Sequence, residues 1–517
     1  MTTSGMACPT RHFPVNGNCR AGVSEEAGNG IRSCEFPSFR LQAGAGRVKV
    51  LRMTAAEPTT DGTYRDRIVA VEPGGNEFIA EADRHGRPSQ LVWTWASPNL
   101  EFATIFLGVL SVSYFGMNFW QAAAGIIIGT GLGAVAHGFL SARGPRLGVP
   151  QMVAGRLAFG YKGNAVPSTL MAITAGVGWF ATNSISAAFA LSTLFGLAPL
   201  LALLLVVVVQ TALAFFGHNL VQAFERWAFP VLAVIFAITS VMIMSKADLG
   251  APAVEGGVGG LGGFLLTVGA TFGYVAGWTP YAADFSRYLP STVSPARTGL
   301  FAATGLFLAS SVLAIVGAAS VTIVTAAVSD NPTDAFTGSL PGWLAAATLL
   351  AIAIGAVAAN AINVYSAGMA FVTTGVKLPA HIARASATVF FGVAGFLVAW
   401  WALADAAASY EAFLLLIAYW VGPWLGVVFA DQYLRRGHRV DGFLYDHTYS
   451  NWPGLLSFLI GLVVSFLLFC NQERFVGFVV RAVPDLGDIG FFVGFLLAAG
   501  SYLLLCRSKI TAEKVTA

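Results

Sequence analysis

The sequence predicts an all-α polytopic membrane protein of about 12 transmembrane helices, and three observations carry that prediction. Of its 517 residues, 56% are hydrophobic and 11% charged, where a soluble domain averages about 25% charged residues. The apolar residues come in blocks that recur from Leu100 to Leu505, long enough for the roughly 20 residues a helix needs to cross a bilayer. The lysines and arginines fall between these blocks and mostly into alternate loops, as the positive-inside bias requires.

The chain opens on a polar, Gly-rich stretch from Met1 to Arg52, and Met53 begins a more regular acidic and polar segment. Residues 1–52 read as an over-long gene start and 1–72 as a disordered cytoplasmic tail, with 73–98 as a cytoplasmic segment before the first span. No cleavable signal peptide is visible, so the first span acts as its own insertion signal.

Breaking the apolar runs at turn and charge clusters gives spans at 99–120, 122–142, 167–188, 196–216, 226–245, 263–284, 299–326, 342–373, 386–404, 411–430, 454–470 and 488–506. The loops after spans 2, 4, 6, 8 and 10, with the C-terminal tail, hold 15 of the 29 Lys and Arg. The opposite loops hold only Lys246, Arg474 and Arg481, and the remaining 11 precede Trp93. Both termini are therefore expected in the cytoplasm, the protein being multi-pass in the inner or plasma membrane.

The formal charge of +3 is too small to indicate a nucleic-acid partner. Cys8, Cys19, Cys34, Cys470 and Cys506 lack the paired spacing of a zinc or redox site. No nucleotide-binding loop, metal-ligand cluster or nucleophile elbow is present in the sequence. An ATP-driven pump or membrane hydrolase is thereby disfavoured, and neither a metal nor a cofactor is expected.

Twelve spans with both ends inside fit a major-facilitator fold or an inverted-repeat fold. In the second, the first helix of each five-helix repeat unwinds at Gly, Ser or Pro. Span 1 offers Gly108 and Ser111; span 6, five spans later, offers Gly273 and Gly277 ahead of Thr279-Pro280. Small residues also serve simple close helix contact.

Three spans carry polar or aromatic groups where apolar ones would cost less. On span 3, Trp179 and Asn183 are four apart and share a helix face. A flat heterocycle could stack on the indole and bond the amide; a packing Trp with an interhelical Asn is the plainer reading. On span 8, Asn360 and Asn363 sit in an otherwise apolar run, and buried amides need partners. An amide presents a donor and an acceptor, matching the paired NH and C=O edge of a nucleobase. On span 6, Tyr274 and Trp278 form a second aromatic pair at helical spacing, able to close the other face of a planar ligand. Asp284 and Arg287 read as an ion-paired helix terminus in preference to a proton relay, and Glu101 and Asp431 as interfacial residues.

The run Gly144-Pro145-Arg146-Leu147-Gly148-Val149-Pro150-Gln151-Met152, with Arg156, Phe159-Gly160-Tyr161 and Gly163-Asn164, resembles the cytoplasmic loop after span 2 of the nucleobase:cation symporter-1 family. Ala283-Asp284-Phe285-Ser286-Arg287-Tyr288, Asn363-Val364-Tyr365-Ser366 and Asp431-Gln432-Tyr433-Leu434-Arg435-Arg436 are similar to further motifs of that family. The resemblance runs from about Glu72 to about Pro453. It implies a leucine-transporter-like fold of two inverted five-helix repeats over 99–430, a cytoplasmic loop at 431–453, two additional helices over 454–506 and a cytoplasmic tail at 507–517. It also implies a heterocycle held between Trp179 and a span 6 aromatic, its edge read by Asn183 and Asn363.

Two departures from the family pattern stand out. Val275 occupies the usual span 6 Trp position, leaving Tyr274 or Trp278 to substitute. The span 8 positions that supply hydroxyl ligands in sodium-coupled members are Val357 and Ala358, so the coupling ion is expected to be a proton, although no buried carboxylate stands out as its carrier. The resulting expectation is a monomeric symporter, not an enzyme, that imports a purine, cytosine or related planar heterocycle. The alternatives are a same-family carrier of allantoin, hydantoin, uracil or a thiamine- or pyridoxine-like precursor, and a non-transporting membrane receptor or enzyme.

Overall fold

A computed structural model describes residues 75–516 apart from 217, 324–330, 377–379, 438–439 and 473–474. The expected tail at 1–72 lies outside the described residues. In lipid every backbone polar group must be satisfied internally, and the apolar runs meet that demand as helices. Spans 2, 4 and 5 are Phe119–Ser141, Pro199–Phe216 and His218–Lys246; spans 7 to 10 are Pro295–Val321, Gly342–Thr373, Ala380–Ala402 and Ala406–Leu434; spans 11 and 12 are Trp452–Phe469 and Gly490–Thr516. Three others are interrupted. Span 1 is Gln90–Ala96, a 3-10 turn at Ser97–Asn99 and Phe102–Ser113; span 3 is Ala165–Ile173, a π turn at Thr174–Trp179 and Phe180–Phe195. Span 6 is Gly260–Ala276, a 3-10 turn at Thr279–Tyr281 and Ala282–Ser286. Among the described residues eleven helices are long and apolar enough to cross a membrane, and the interrupted first span makes the twelve expected.

The spans pack as two groups. Spans 1, 2, 6 and 7 contact one another, as do spans 3, 4, 8 and 9, while span 10 packs on spans 6, 11 and 12. Each group thus pairs helices with their counterparts five spans later, as an inverted repeat predicts. Glycine permits the tight contacts: a Cβ at Gly317 would fall 1.8 Å from the Ile105 carbonyl oxygen, and one at Gly129 would fall 2.0 Å from Thr271 Oγ1.

The span 1 break is not where the Gly and Ser pattern placed it. Gly108 and Ser111 lie inside the continuous helix Phe102–Ser113, and the backbone departs from helix between Ser97 and Glu101, where Glu101 is extended at φ −151°, ψ 172°. Pro98, which lacks an N–H, sits in the turn. Gly108 serves packing instead, since a Cβ there would lie 1.7 Å from the Ala314 carbonyl oxygen. Ser111 Oγ bonds the Leu107 carbonyl at 2.9 Å and leaves the helix intact. In span 6, Gly273 is also a helical contact residue, against the Leu414 carbonyl. Gly277 does end its helix.

Candidate substrate-binding site

The two breaks and the middles of spans 3 and 8 converge on one buried cluster. The π turn of span 3 ends at Trp179, and such single turns re-aim the side chains that follow. Trp179 is buried, and its ring meets Tyr274 at 5.3 Å and 88° and Phe413 at 5.1 Å and 78°. The Trp179 indole nitrogen faces the span 6 break, 3.4 Å from where a Cβ on Gly277 would be. Tyr274 and Trp278 therefore part company. Tyr274 meets Trp179 edge to face, while Trp278 donates through Nε1 to Asn99 Oδ1 at 3.1 Å and packs on Trp95 and Tyr281.

The three expected amides form one network. Asn183 Nδ2 donates to Asn360 Oδ1 at 3.1 Å, and Asn363 Nδ2 reaches the same oxygen at 3.3 Å. Asn360 Nδ2 is taken up by the Phe180 carbonyl and Gln210 Oε1, at 3.0 and 2.8 Å. Asn363 Oδ1 accepts from Tyr281 at 2.9 Å. Asn183 Oδ1 is buried without a hydrogen-bond partner, an acceptor left open beside Trp179. Asn360 is thus the hinge of the network, and Asn183 and Asn363 flank it. Sequence reasoning missed Asn99, Tyr281 and Gln210. Gln210, an amide in an apolar span, was the visible signal.

Glu101 is placed inside span 1 rather than at an interface, and Asp431, in the last turn of span 10, is buried against neighbouring side chains. Glu101 is 1% exposed and Asp431 2%. Asp431 is satisfied, accepting from Arg435 at 2.7 Å and Tyr502 at 2.7 Å. Glu101 Oε1 stands 3.2 Å from the Tyr274 hydroxyl, which lies 2.5 Å from Thr104 Oγ1, and the Ala103 backbone amide is the carboxyl's other polar neighbour. Glu225 of span 5 is 0% exposed, with the Ser97 hydroxyl as its polar neighbour. The expectation that no buried carboxylate stands out is therefore overturned: Glu101 and Glu225 both do, because the span 1 turn and span 5 face the interior rather than the membrane surface. Asp284 accepts from the Gln151 amide at 2.9 Å, and Arg287 bonds the Gly75 carbonyl at 3.0 Å and the Tyr288 hydroxyl at 3.0 Å. This helix terminus ties span 6 to the loop after span 2 and to the segment before span 1.

A cavity of about 780 Å³ opens beside the cluster, between Phe102 and Phe106, Gly178 and Thr182, and Tyr410 and Phe413. It reaches Asp405 and Gln472, the side of the loops after spans 9 and 11. Phe413 and Tyr410 of span 10 stand between this cavity and Trp179. On the opposite side the segment before span 1 crosses the helix ends: Ile79 N bonds the Gly148 carbonyl at 2.9 Å, Asn76 Nδ2 bonds Thr373 Oγ1 at 2.7 Å, and Arg84 bonds the Pro145 carbonyl. Among the described residues no group of three His, Cys, Asp or Glu could hold a metal ion.

Comparison with known proteins places this architecture. Residues 78–494 match the family described as permease for cytosine/purines, uracil, thiamine, allantoin. The purine-cytosine permease fcyB of Emericella nidulans is 27% identical over 432 residues, 80% of this chain and 83% of that protein. The purine-cytosine permease FCY2 of Saccharomyces cerevisiae is 27% identical over 428 residues, 77% and 79% of the two chains. Among solved structures, the nucleobase-cation-symport-1 transporter Mhp1, closed with bromovinylhydantoin bound, superposes with a TM-score of 0.68 at 19% identity, covering 87% of this chain and 97% of its own.

Proposed function

The chain belongs to the permease family for cytosine/purines, uracil, thiamine and allantoin, and from that membership we propose that it imports a purine, cytosine or related planar nitrogen heterocycle by proton symport with alternating access. The observation that carries the substrate class is that Trp179, set against Tyr274, and the Asn183–Asn360–Asn363 network, tied to Tyr281, both adjoin the span 6 break. A planar base stacks on Trp179, and its NH and C=O edge is read by the amides. Tyr274 is the span 6 aromatic of this site, since it and not Trp278 abuts Trp179. In the arrangement described the two rings are perpendicular, so a ligand enters by turning Tyr274 aside. Entry is from the cavity past Phe413, and release requires the segment around Arg84 and Arg287 to part on the cytoplasmic side, where both termini lie. A monomer suffices, because the whole site is built from one chain. The relatives named purine-cytosine permeases favour nucleobases over the allantoin and hydantoin substrates found elsewhere in the family.

Proton rather than sodium coupling is favoured by Val357 and Ala358, which offer no side-chain oxygen to a cation, whereas sodium prefers several oxygen ligands. The experiment is uptake of labelled cytosine, adenine, hypoxanthine and allantoin into proteoliposomes with imposed pH or sodium gradients. Uptake of one of the bases is expected to follow the pH gradient, and Trp179→Ala and Asn363→Ala to lower it about 100-fold, the loss of one stacked face or one amide edge. Uptake unchanged in both variants would reject the site; accumulation that needs sodium would reject proton coupling.

A further inference from the structure

Glu101 is buried at the span 1 break, and its nearest hydrogen-bonding neighbour is the tyrosine that abuts Trp179. Its backbone also faces span 8: a Cβ on Gly355 would lie 2.3 Å from the Leu100 carbonyl oxygen and 3.1 Å from the Glu101 Cβ. Among the described residues no Lys, Arg or His lies within ion-pair distance of it. An ionised carboxylate without a counter-charge is costly inside a membrane protein.

The hydrogens can be counted. Thr104 Oγ1 has one, and it is used on the Asn99 carbonyl at 2.7 Å. The Tyr274 hydroxyl has one, yet two oxygens face it, Thr104 Oγ1 at 2.5 Å and Glu101 Oε1 at 3.2 Å. With Glu101 ionised, one of these contacts brings two oxygens together with no hydrogen between them. A proton on Glu101 Oε1 completes the row: Glu101 donates to Tyr274, Tyr274 to Thr104, and Thr104 to the Asn99 carbonyl.

We propose that Glu101 is the proton-binding carboxyl of this symporter, and that the Glu101–Tyr274–Thr104 row couples its proton to the heterocycle site at Trp179. The inference rests on the proton-symport reading above. Loss of the proton leaves Tyr274 one hydrogen for two acceptors and draws it to the carboxylate, and that moves the ring against Trp179. Substrate and proton thereby bind together. The other titratable groups nearest the break on the packed elements are Tyr410 of span 10, which donates to the Ala103 carbonyl at 2.8 Å and has Glu411 next in sequence, Tyr281 and Asp284 of span 6, Glu225 of span 5 beside the Ser97 turn, and His137 of span 2, held on the Trp278 carbonyl at 3.0 Å. Span 3 has none, and spans 7 and 8 carry only Arg297 and Tyr365, away from the break. Glu225 neighbours Ser97 and has no bond to Glu101, Tyr274 or Thr104, so it serves as the control acid.

The test measures binding and proton uptake on purified full-length protein, using whichever of cytosine, adenine, hypoxanthine and allantoin the wild type transports. The wild type is expected to lose affinity as pH rises, up to about tenfold per unit where one proton is linked, and to take up about one proton per base bound. Glu101→Gln, whose amide donates to Tyr274 as the protonated acid does, is expected to bind with pH-independent affinity and to take up no proton. Glu101→Asp is expected to restore proton uptake with a displaced pH midpoint, and Glu225→Gln to keep the wild-type profile. If Glu101→Gln does not fold, Glu101→Asp with an undisplaced midpoint overturns the proposal. So does proton uptake that survives in Glu101→Gln, or that vanishes in Glu225→Gln alone. A wild type without pH-linked binding removes the symport reading itself and is told apart by needing no variant.

Discussion

The two helix breaks at the centre of the molecule solve the same problem with different chemistry. In span 6 the chain leaves the helix at Gly277 and re-enters through Thr279-Pro280, its freed groups closed by short local bonds such as Thr279 Oγ1 to the Ala276 carbonyl at 2.5 Å. In span 1 it leaves at Ser97-Pro98, and the freed groups are taken up by side chains: Asn99 Nδ2 reaches back to the Trp95 carbonyl at 2.8 Å, and Thr104 reaches the Asn99 carbonyl. Asn99 Oδ1 then accepts from Trp278 at 3.1 Å and Ser310 at 3.2 Å. One break is closed mainly by local bonds, with His137 of span 2 on its Trp278 carbonyl. The other is a polar hub that holds both breaks together and carries an acid, Glu101.

That contrast can be broken at several points. The largest effect is expected where glycine packs rather than bends: Gly108→Ala drives a Cβ into the Ala314 carbonyl and should cost about 3 kcal/mol, overpacking that the backbone cannot relieve. Gly277→Ala meets nothing nearer than 3.2 Å and should leave the melting temperature in detergent close to wild type while slowing transport. Equal melting for the two variants would remove the distinction between packing and hinge glycines. Asn99→Ala should cost about 2 kcal/mol, since the buried Trp278 Nε1 loses its acceptor, seen as a lower melting temperature and a fluorescence change at Trp278. Tyr281→Phe strips Asn363 Oδ1 of its partner while sparing the fold, and about tenfold in kcat/KM is expected, roughly one hydrogen bond.

The smallest effect lies away from both breaks, at the turn before span 12. Burial pushes the Asp488 carboxyl up to about 6 against the bonds it accepts from Tyr419 and the Gly490 and Asn471 amides. A carboxyl raised in the folded state favours the fold while protonated. Its contribution is full below about 4 and is lost as pH rises through about 6. Amide exchange at the hairpin of Asn471–Gln472 and Phe475–Val476, corrected for intrinsic rate, should therefore quicken above pH 6, and Asp488→Asn should flatten that dependence.

Much of the site was legible because buried amides and aromatics are costly in an apolar helix. Trp179, Asn183, Asn360 and Asn363 announce themselves by type and spacing; the three asparagines meet in one network, and Trp179 stands against Tyr274 of the neighbouring span 6. Which of Tyr274 and Trp278 faces Trp179 was not legible, since both lie on adjoining turns of one span and the break between them rotates Trp278 toward Asn99. The span 1 break was misread because hydropathy starts that span at about residue 99. The polar Ser97-Pro98-Asn99 run then looks like a loop before the helix rather than a turn inside it. Glu101 was read as interfacial for the same reason.

The sequence by itself determined that this chain spans a membrane about 12 times, that its loops alternate in charge, and which family its motifs match, because apolar run length, loop cations and ordered motifs are local properties. Only the tertiary structure decided that Gly108 packs while Pro98 breaks, that Tyr274 takes the place beside Trp179, and that Glu101 lies buried beside it without a cation. Each of those depends on which helices approach one another, a relation between segments distant in the chain that no single stretch encodes.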